Sequence, residues 1–93
     1  MRVVEGDYEW DSVKAASNLR KHGVTFEDAG DALRDPLLRE GSDIEHPRRL
    51  IALCRSTRDL VLVVVYEPRG WRTRIISARK ADRRERKEYE TGG

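Results

Sequence analysis

Positively charged side chains are concentrated in residues 69–87, near the end of the chain. This segment holds nine lysines and arginines against two acids, Asp82 and Glu85. The pair Ile75 and Ile76 in its middle is typical of a buried strand, so the cations belong to a sheet rather than to a loose tail. A guanidinium group that is held in place can donate two parallel hydrogen bonds to phosphate oxygens. We therefore expect a phosphate-bearing polymer as the partner.

Cleavage of RNA is the chemistry that such cations could serve without a metal ion. The ribose 2′-hydroxyl would attack the adjacent phosphate, which requires cations to stabilise the phosphorane oxygens and a group that moves protons. Arg74, Arg79 and Arg55 are the candidate charge stabilisers. His22, at the end of a predicted helix, is the candidate proton carrier, because histidine is the side chain that changes charge near neutral pH. Lys21 beside it could bind phosphate.

Four further residues are candidates for RNA contact. They are Tyr66, Trp71, Arg72 and Arg83. Trp71 follows a glycine turn and could stack a base, while Tyr66 and Arg55 lie near strand ends and could border one cleft. Structural roles compete with these assignments, because His22 can simply stabilise a helix C-terminus, Trp71 can pack at a sheet edge, and residues 83–87 can form a solvated helix face.

The composition describes one small, charge-rich domain spanning residues 1–93, with 38% hydrophobic and 39% charged residues and therefore a thin core. Charge is uneven, with a net −4 over residues 1–48 and +6 over residues 49–93, so one face should attract a polyanion. A single cysteine, Cys54, and two unclustered histidines predict no disulfide, metal site or cofactor. Without a visible signal peptide or membrane span, we expect a cytoplasmic protein.

Capping signals predict three helices. Asp11 is a good N-cap for a helix over residues 12–22. The apolar positions of that helix are predicted to form a narrow buried stripe of Val13, Ala16 and Leu19. A capping box at residues 25–28 begins a second helix to about Arg34, and Asp82 with Glu85 begins a last helix to Tyr89. The last helix has almost no apolar stripe, so it is expected to be either weakly docked or completed by a partner.

Hydrophobic runs predict the strands, a short one at residues 2–4 and four more at residues 36–40, 50–55, 60–67 and 71–78. The run 60–65 is apolar on both faces and should be the central strand. Alternation places Arg72 and Arg74 on one side of their strand and Arg79 on the other, with twist at the strand end leaving the side of Arg79 open. We expect an α+β sandwich, in which two N-terminal helices cover one face of an antiparallel sheet of three to five strands and a helix ends the chain.

Two long segments resemble the BrnT family of bacterial toxins. They are residues 9–26, E-W-D-S-V-K-A-A-S-N-L-R-K-H-G-V-T-F, and residues 74–89, R-I-I-S-A-R-K-A-D-R-R-E-R-K-E-Y. With the strand 60–66 and the following Glu-Pro-Arg-Gly, the resemblance covers residues 8–90. The matching positions are Trp10, Lys14, Asn18, Lys21, His22, Gly23, Arg74, Ser77, Arg79 and Glu85. Arg74 and Arg79 are the functional candidates among them, whereas Asn18 and Lys14 are expected to fix the first helix against the sheet.

The resemblance implies a fold similar to RelE-type ribonucleases and a toxin of a type II toxin–antitoxin system. The implied activity is metal-independent, cofactor-free RNA cleavage that inhibits translation. The implied partners are the RNA substrate and a BrnA-like antitoxin with a DNA-binding domain. The complex represses its own operon and contacts operator DNA only through the antitoxin. No membrane partner is implied.

Two alternatives to a ribonuclease remain. One is a non-catalytic nucleic-acid-binding module, which the sparse acid–base equipment favours. The other is an inactive family member that only scaffolds the antitoxin. The near full-length resemblance favours the ribonuclease over both.

Overall fold

A six-stranded sheet with three helices forms the frame of the protein in the computed structural model, which describes residues 1–92. The strands are β1 (Arg2–Glu5), β2 (Tyr8–Asp11), β3 (Arg39–Ser42), β4 (Leu50–Arg55), β5 (Val61–Arg69) and β6 (Arg72–Lys80). The helices are α1 (Ser12–His22), α2 (Phe26–Ala32) and α3 (Arg83–Thr91). The strand order is β1-β2-β6-β5-β4-β3, and β2 lies parallel to β6 while all other neighbours are antiparallel.

The predicted α+β class is confirmed, but the predicted count of three to five strands was too low. The sequence indicated only residues 2–4 at the start, whereas the structure has a complete β1–β2 hairpin whose second strand joins β6. The strand predicted at residues 36–40 lies later, at Arg39–Ser42. Asp35 explains this shift, because its carboxylate accepts from the Leu37 amide and its carbonyl accepts from the Leu38 amide, which holds the segment in a turn.

The main core lies between α2 and one face of the sheet. Strand residues that alternate inward from β4 and β5 meet the fully buried Phe26 and Ala29 of α2. Trp10 of β2 closes this core, with its ring edge-on to Phe26 at a centroid distance of 6.1 Å. Cys54 also lies in this core, and burial raises the pKa of its thiol to about 12.

Beyond the residues that pair with β2, β6 has a free edge. Helix α1 runs along this edge rather than lying fully on the sheet face. Asn18 is buried, and its amide both donates to the Ala78 carbonyl (2.8 Å) and accepts from the Ala78 amide (3.1 Å). The same amide donates to the Val24 carbonyl at 3.0 Å. Asn18 thus stands where a neighbouring strand would continue the hydrogen-bonding of β6, which confirms its predicted role in fixing the first helix against the sheet. Lys14, predicted to share this role, is exposed.

The apolar stripe predicted for α1 is on the wrong side. Val13 is 68% exposed and Leu19 is 47% exposed. The buried face is instead centred on Asn18, with Ala15 packed partly against the core. The hydrophobic pattern failed here because a polar side chain that hydrogen-bonds the strand edge fixes how the helix is rotated.

Helix α3 covers part of the opposite face of the sheet. Its N-terminus has the predicted capping box, in which Asp82 accepts from the Glu85 amide and Glu85 accepts from the Asp82 amide. Only Tyr89 is buried in this helix, and it packs with Ala81 against Val61 of β5. The Tyr89 hydroxyl donates to the Asp35 carboxylate. The docking of α3 therefore rests on few apolar contacts, as predicted.

A β-bulge in β6 changes the direction of its second half. Tyr66 pairs with Ile75 and Val65 pairs with Ser77, which leaves Ile76 as an extra residue opposite the junction. Arg74 pairs with Glu67 and Arg79 pairs with Val63, so both arginines point to the α3 side of the sheet. Strict alternation would have separated them, and the extra residue is the reason that it does not.

Candidate nucleic-acid interface

Six arginines lie together on the α3 side of the sheet, and we call the surface that they form the arginine face. Arg39 and Arg55 are on the same side but lie against the C-terminal part of α3 and do not belong to it. The six are Arg2, Arg49, Arg69, Arg72, Arg74 and Arg79. Three glutamates lie among them and form salt bridges with five of these arginines, namely Glu9, Glu67 and Glu85. Because the cations outnumber the carboxylates, the surface keeps a net positive charge while most of its guanidinium groups are held in defined positions.

Glu9 fixes two arginines at once. Its side chain is only 7% exposed, and its carboxylate contacts Arg74 Nη1 at 3.0 Å and Arg2 Nη2 at 3.3 Å. A buried carboxylate requires such partners, because an unpaired charge loses its hydration without compensation. Arg74, whose side chain is 20% exposed, is therefore anchored through one edge of its guanidinium group.

Glu67 of β5 repeats this arrangement on the other side of β6 from Glu9. Arg69 Nε donates to it at 2.8 Å, and Arg49 Nε lies 3.9 Å away. The hydrogen bond from Arg69 is the main cause that lowers the pKa of Glu67, with the charge of Arg49 adding to it. Since Glu67 pairs in register with Arg74, the two carboxylate-centred clusters adjoin each other and form one continuous charged surface.

Arg79 is paired end-on with Glu85 of α3. Its two terminal nitrogens lie 2.8 and 2.9 Å from the two carboxylate oxygens. This bidentate pair raises the pKa of Arg79 and lowers the pKa of Glu85, so both groups are stabilised in their charged forms. Because Glu85 also belongs to the capping box, one carboxylate links the strand, the helix terminus and a functional candidate. Arg79 has to share Glu85 or release it in order to bind a phosphate.

The Arg79–Glu85 pair predicts a loss of stability in acid. The folded-state pKa of Glu85 is depressed, so its contribution is complete above the ordinary value of 4.5 and is lost as the pH falls through the lower folded value. Glu85→Gln keeps an acceptor for the capping box but has no charge to lose. We expect the difference in Tm between wild type and Glu85→Gln to be largest at pH 7 and to shrink by pH 3 in thermal melts. An unchanged difference across this range would contradict the pairing.

A small hollow of about 200 Å³ joins α1 to β6. Its lining residues are Lys14, Ser17, Asn18, Lys21, His22, Ile76 and Ser77. Ser77 connects this hollow to the arginine face. It lies between Arg74 and Arg79 on β6, about 7 Å along the strand from Arg79. The structure thus brings His22 and Lys21 to the strand that carries both arginines. Sequence reasoning missed Lys14 as a cation of this hollow and did not foresee the bulge that exposes Ser77 beside it.

Two predicted site residues lie apart from this arrangement. The Arg55 guanidinium lies 5.4 Å from the centre of the Tyr89 ring and 2.6 Å from Asp59, two strands away from Arg79. Tyr66 is buried on the other side of the sheet, where its hydroxyl donates to Glu40. The expectation that Arg55 and Tyr66 border one cleft is therefore wrong, because their positions in the strand alternation direct them to opposite faces.

Of the remaining candidates, Arg83 and Trp71 are exposed and Arg72 is partly buried. Arg83 is exposed in the first turn of α3. Trp71 is 70% exposed at the β5–β6 hairpin, with the Arg72 guanidinium 4.1 Å from its ring centre. Within residues 1–92, no group of three or more His, Cys, Asp or Glu side chains is placed to hold a metal ion, and none of the helices has the length and apolar character to cross a membrane.

Comparison with known proteins decides the family. Residues 10–85 match the family described as ribonuclease toxin, BrnT, of type II toxin–antitoxin systems. The chain belongs to the BrnT family. Its structure is similar to the 1.1 Å crystal structure of the Brucella abortus ribonuclease toxin BrnT, with a TM-score of 0.66, 26% sequence identity, and coverage of 80% of this chain and 94% of that chain. No match is found among curated proteins.

Membership in the BrnT family confirms the resemblance that the two sequence segments indicated. It makes the chain one of a family of ribonuclease toxins, which implies an RNA substrate and an antitoxin partner. The matched region begins at Trp10 and ends at Glu85. It therefore includes Arg74, Arg79 and all residues that line the hollow between α1 and β6, whereas Arg2 of the arginine face lies outside it.

Proposed function

We propose that this protein is a metal-independent endoribonuclease toxin that cleaves RNA and thereby inhibits translation. The observation that carries the proposal is the bulge in β6, which turns Arg74 and Arg79 to one side of the sheet around Ser77. A phosphodiester lying over Ser77 would have one guanidinium group on each side and the cations of α1 beside it. Such fixed cations stabilise the charge that develops on a pentacoordinate phosphate.

The proposed reaction uses the 2′-hydroxyl of the substrate as the nucleophile. Its oxygen forms a bond to the adjacent phosphorus, the bond from phosphorus to the 5′-oxygen breaks, and the products are a 2′,3′-cyclic phosphate and a 5′-hydroxyl. His22 accepts the proton of the attacking 2′-hydroxyl, and water supplies the proton that the leaving 5′-oxygen takes up. Arg74 and Arg79 neutralise the phosphate oxygens, and Lys21 binds a neighbouring phosphate.

The contact residues divide by their position. We assign Trp71, Arg72 and Arg83 to RNA binding, because all three lie on or beside the arginine face, Trp71 and Arg83 are exposed, and Arg72 stacks on the Trp71 ring. We assign Arg55 to the support of α3, since its guanidinium lies against Tyr89.

The proposed protein partner is a BrnA-like antitoxin with a DNA-binding domain. Its neutralising segment would cover the arginine face and contact α3, and an acidic segment fits the net charge of +6 on residues 49–93. The toxin–antitoxin complex would act in the cytoplasm and repress its own operon through the antitoxin. A complex that leaves the arginine face open to solvent would contradict this assignment.

Cleavage in the presence of EDTA tests the proposed function directly. We expect expression of the chain without its antitoxin to arrest growth, and the purified protein to cleave RNA in EDTA to products with a 2′,3′-cyclic phosphate end. Gel analysis with end-group determination measures this outcome. RNA that remains intact at protein concentrations sufficient for binding would exclude the nuclease.

A non-catalytic RNA-binding module is the second candidate function. The pairing of Arg74 and Arg79 with carboxylates favours it, because these contacts already occupy part of each guanidinium group. In that case RNA binds with an affinity that falls steeply with salt and is released uncut. The same EDTA experiment, performed with a binding measurement in parallel, separates the two functions.

A further inference from the structure

The tip of the β5–β6 hairpin presents a large aromatic side chain to solvent. The chain turns at Gly70, whose φ of 62° favours glycine, and Trp71 follows with 70% of its surface exposed. Trp10, the other tryptophan of the chain, is only 4% exposed. An exposed indole ring offers a large apolar face with a polar N–H at its edge, which is the kind of surface that binding sites use.

The Arg72 side chain stacks on one side of the Trp71 ring. Its guanidinium carbon lies 4.1 Å from the Trp71 ring centre, within cation–π distance. Among residues 1–92, Arg72 Nε is a buried side-chain atom that lacks a hydrogen-bond partner. The stack therefore fixes the ring on one side and leaves most of its surface to solvent.

We infer that Trp71 and Arg72 form a subsite for one unpaired nucleobase, which makes single-stranded RNA the substrate class. The inference rests on the proposed action on RNA. Arg69 pairs with Arg72 across the hairpin, and Arg74 follows two residues later on the same side, so phosphate-binding groups flank the ring. Aromatic rings beside a cationic track are the general means of holding single strands, because every base has a π-face to stack. A base inside a duplex is already stacked on both sides and cannot use the ring.

Intrinsic fluorescence can test this subsite, because Trp71 is exposed and Trp10 is buried. The probes are 2′-O-methyl oligonucleotides, which lack the nucleophile and remain uncut: a single strand, an abasic strand of equal length, and a blunt duplex. We expect the single strand to quench the Trp71 emission, and the abasic strand and the duplex to bind without quenching. Trp71→Phe should lose the quenching and bind the single strand with an affinity between those of wild type and Trp71→Ala, because phenylalanine still stacks but over a smaller ring.

Trp71→Ala supplies the affinity measurement. We expect about 10-fold weaker binding of the single strand and no change for the abasic strand. Unchanged Trp10 emission and circular dichroism would show that this exposed substitution leaves the fold intact. Equal affinity of wild type and Trp71→Ala for the single strand would overturn the subsite. So would quenching by the purified antitoxin combined with none by RNA, which would assign the ring to a protein interface.

Failure of this inference is distinguishable from failure of the proposed function. Cleavage of unmodified RNA by the wild type with no effect of Trp71→Ala on binding removes the subsite and leaves the nuclease. Quenching by the 2′-O-methyl single strand combined with no cleavage of unmodified RNA removes the nuclease and leaves the subsite.

Discussion

Replacement of Arg74 by alanine is expected to lower the rate of RNA cleavage by about 100-fold or more, because it removes a fixed cation that stabilises the phosphorane charge. Arg74 is the more informative of the two central arginines, since Glu9 anchors it without tying it to a helix terminus. Arg74→Lys should recover only part of the rate, because an ammonium group keeps the charge but lacks the planar fork. Single-turnover cleavage of a defined RNA measures both.

The control for Arg74→Ala has to separate chemistry from folding. Alanine leaves the buried Glu9 carboxylate with Arg2 alone, so some stability is also lost. The double variant Arg74→Ala with Glu9→Gln removes the uncompensated charge and should regain stability without regaining cleavage. Arg58, a 71% exposed arginine that pairs with Asp28 outside the arginine face, is the matched control, and Arg58→Ala should cleave as wild type does. Full activity of Arg74→Ala would remove this residue from the site.

The largest expected effect on stability belongs to Asn18→Ala. The substitution removes three buried hydrogen bonds and leaves both backbone groups of Ala78 and the Val24 carbonyl without this partner. The three bonds contribute about 1 kcal/mol each, and buried groups that stay unpaired add a further cost, so the loss is about 3 kcal/mol or more. For a domain of this size, such a loss lowers Tm by more than about 10 °C. Thermal or urea unfolding measures it.

Val13→Ala is the matched substitution on the same helix. The apolar stripe predicted from the sequence would make it costly, whereas the 68% exposure of Val13 predicts a change within about 0.5 kcal/mol. If Val13→Ala destabilised the protein more than Asn18→Ala, the rotation of α1 described above would be wrong.

Local signals predicted the elements that depend on local chemistry. The capping residues Asp11, Thr25 and Asp82 each begin the helix that they indicated, and α1 and β4 have the predicted bounds. The apolar run 60–65 does lie in an interior strand, β5, with neighbours on both sides. Each of these features is set within a few residues of sequence, which is why pattern and propensity sufficed.

Features that depend on distant contacts were not accessible in this way. The parallel pairing of β2 with β6 joins Tyr8 to Thr73 and has no local signature. The bulge at Ile76 depends on the register in which β5 and β6 pair. The sequence does not select this register, because an isoleucine would be buried with or without the bulge. For the candidate site, alternation placed Arg74 and Arg79 on opposite sides of the strand, and only the bulge, which has no local signal, brings them to one side. Arg55 proved to be paired elsewhere.

The bulge also links the spacing of the two central arginines to the side of the sheet on which they lie. Plain alternation would place Arg74 and Arg79 on opposite sides, and the extra residue brings both to one side. Deletion of Ile76 would restore plain alternation with Ser77 and Arg79 still on the α3 side, because the bulge already accommodates one residue too many. The bulge can therefore be lost together with one codon, whereas a regular pairing that kept every residue would turn Ser77 and Arg79 to the opposite side of the sheet.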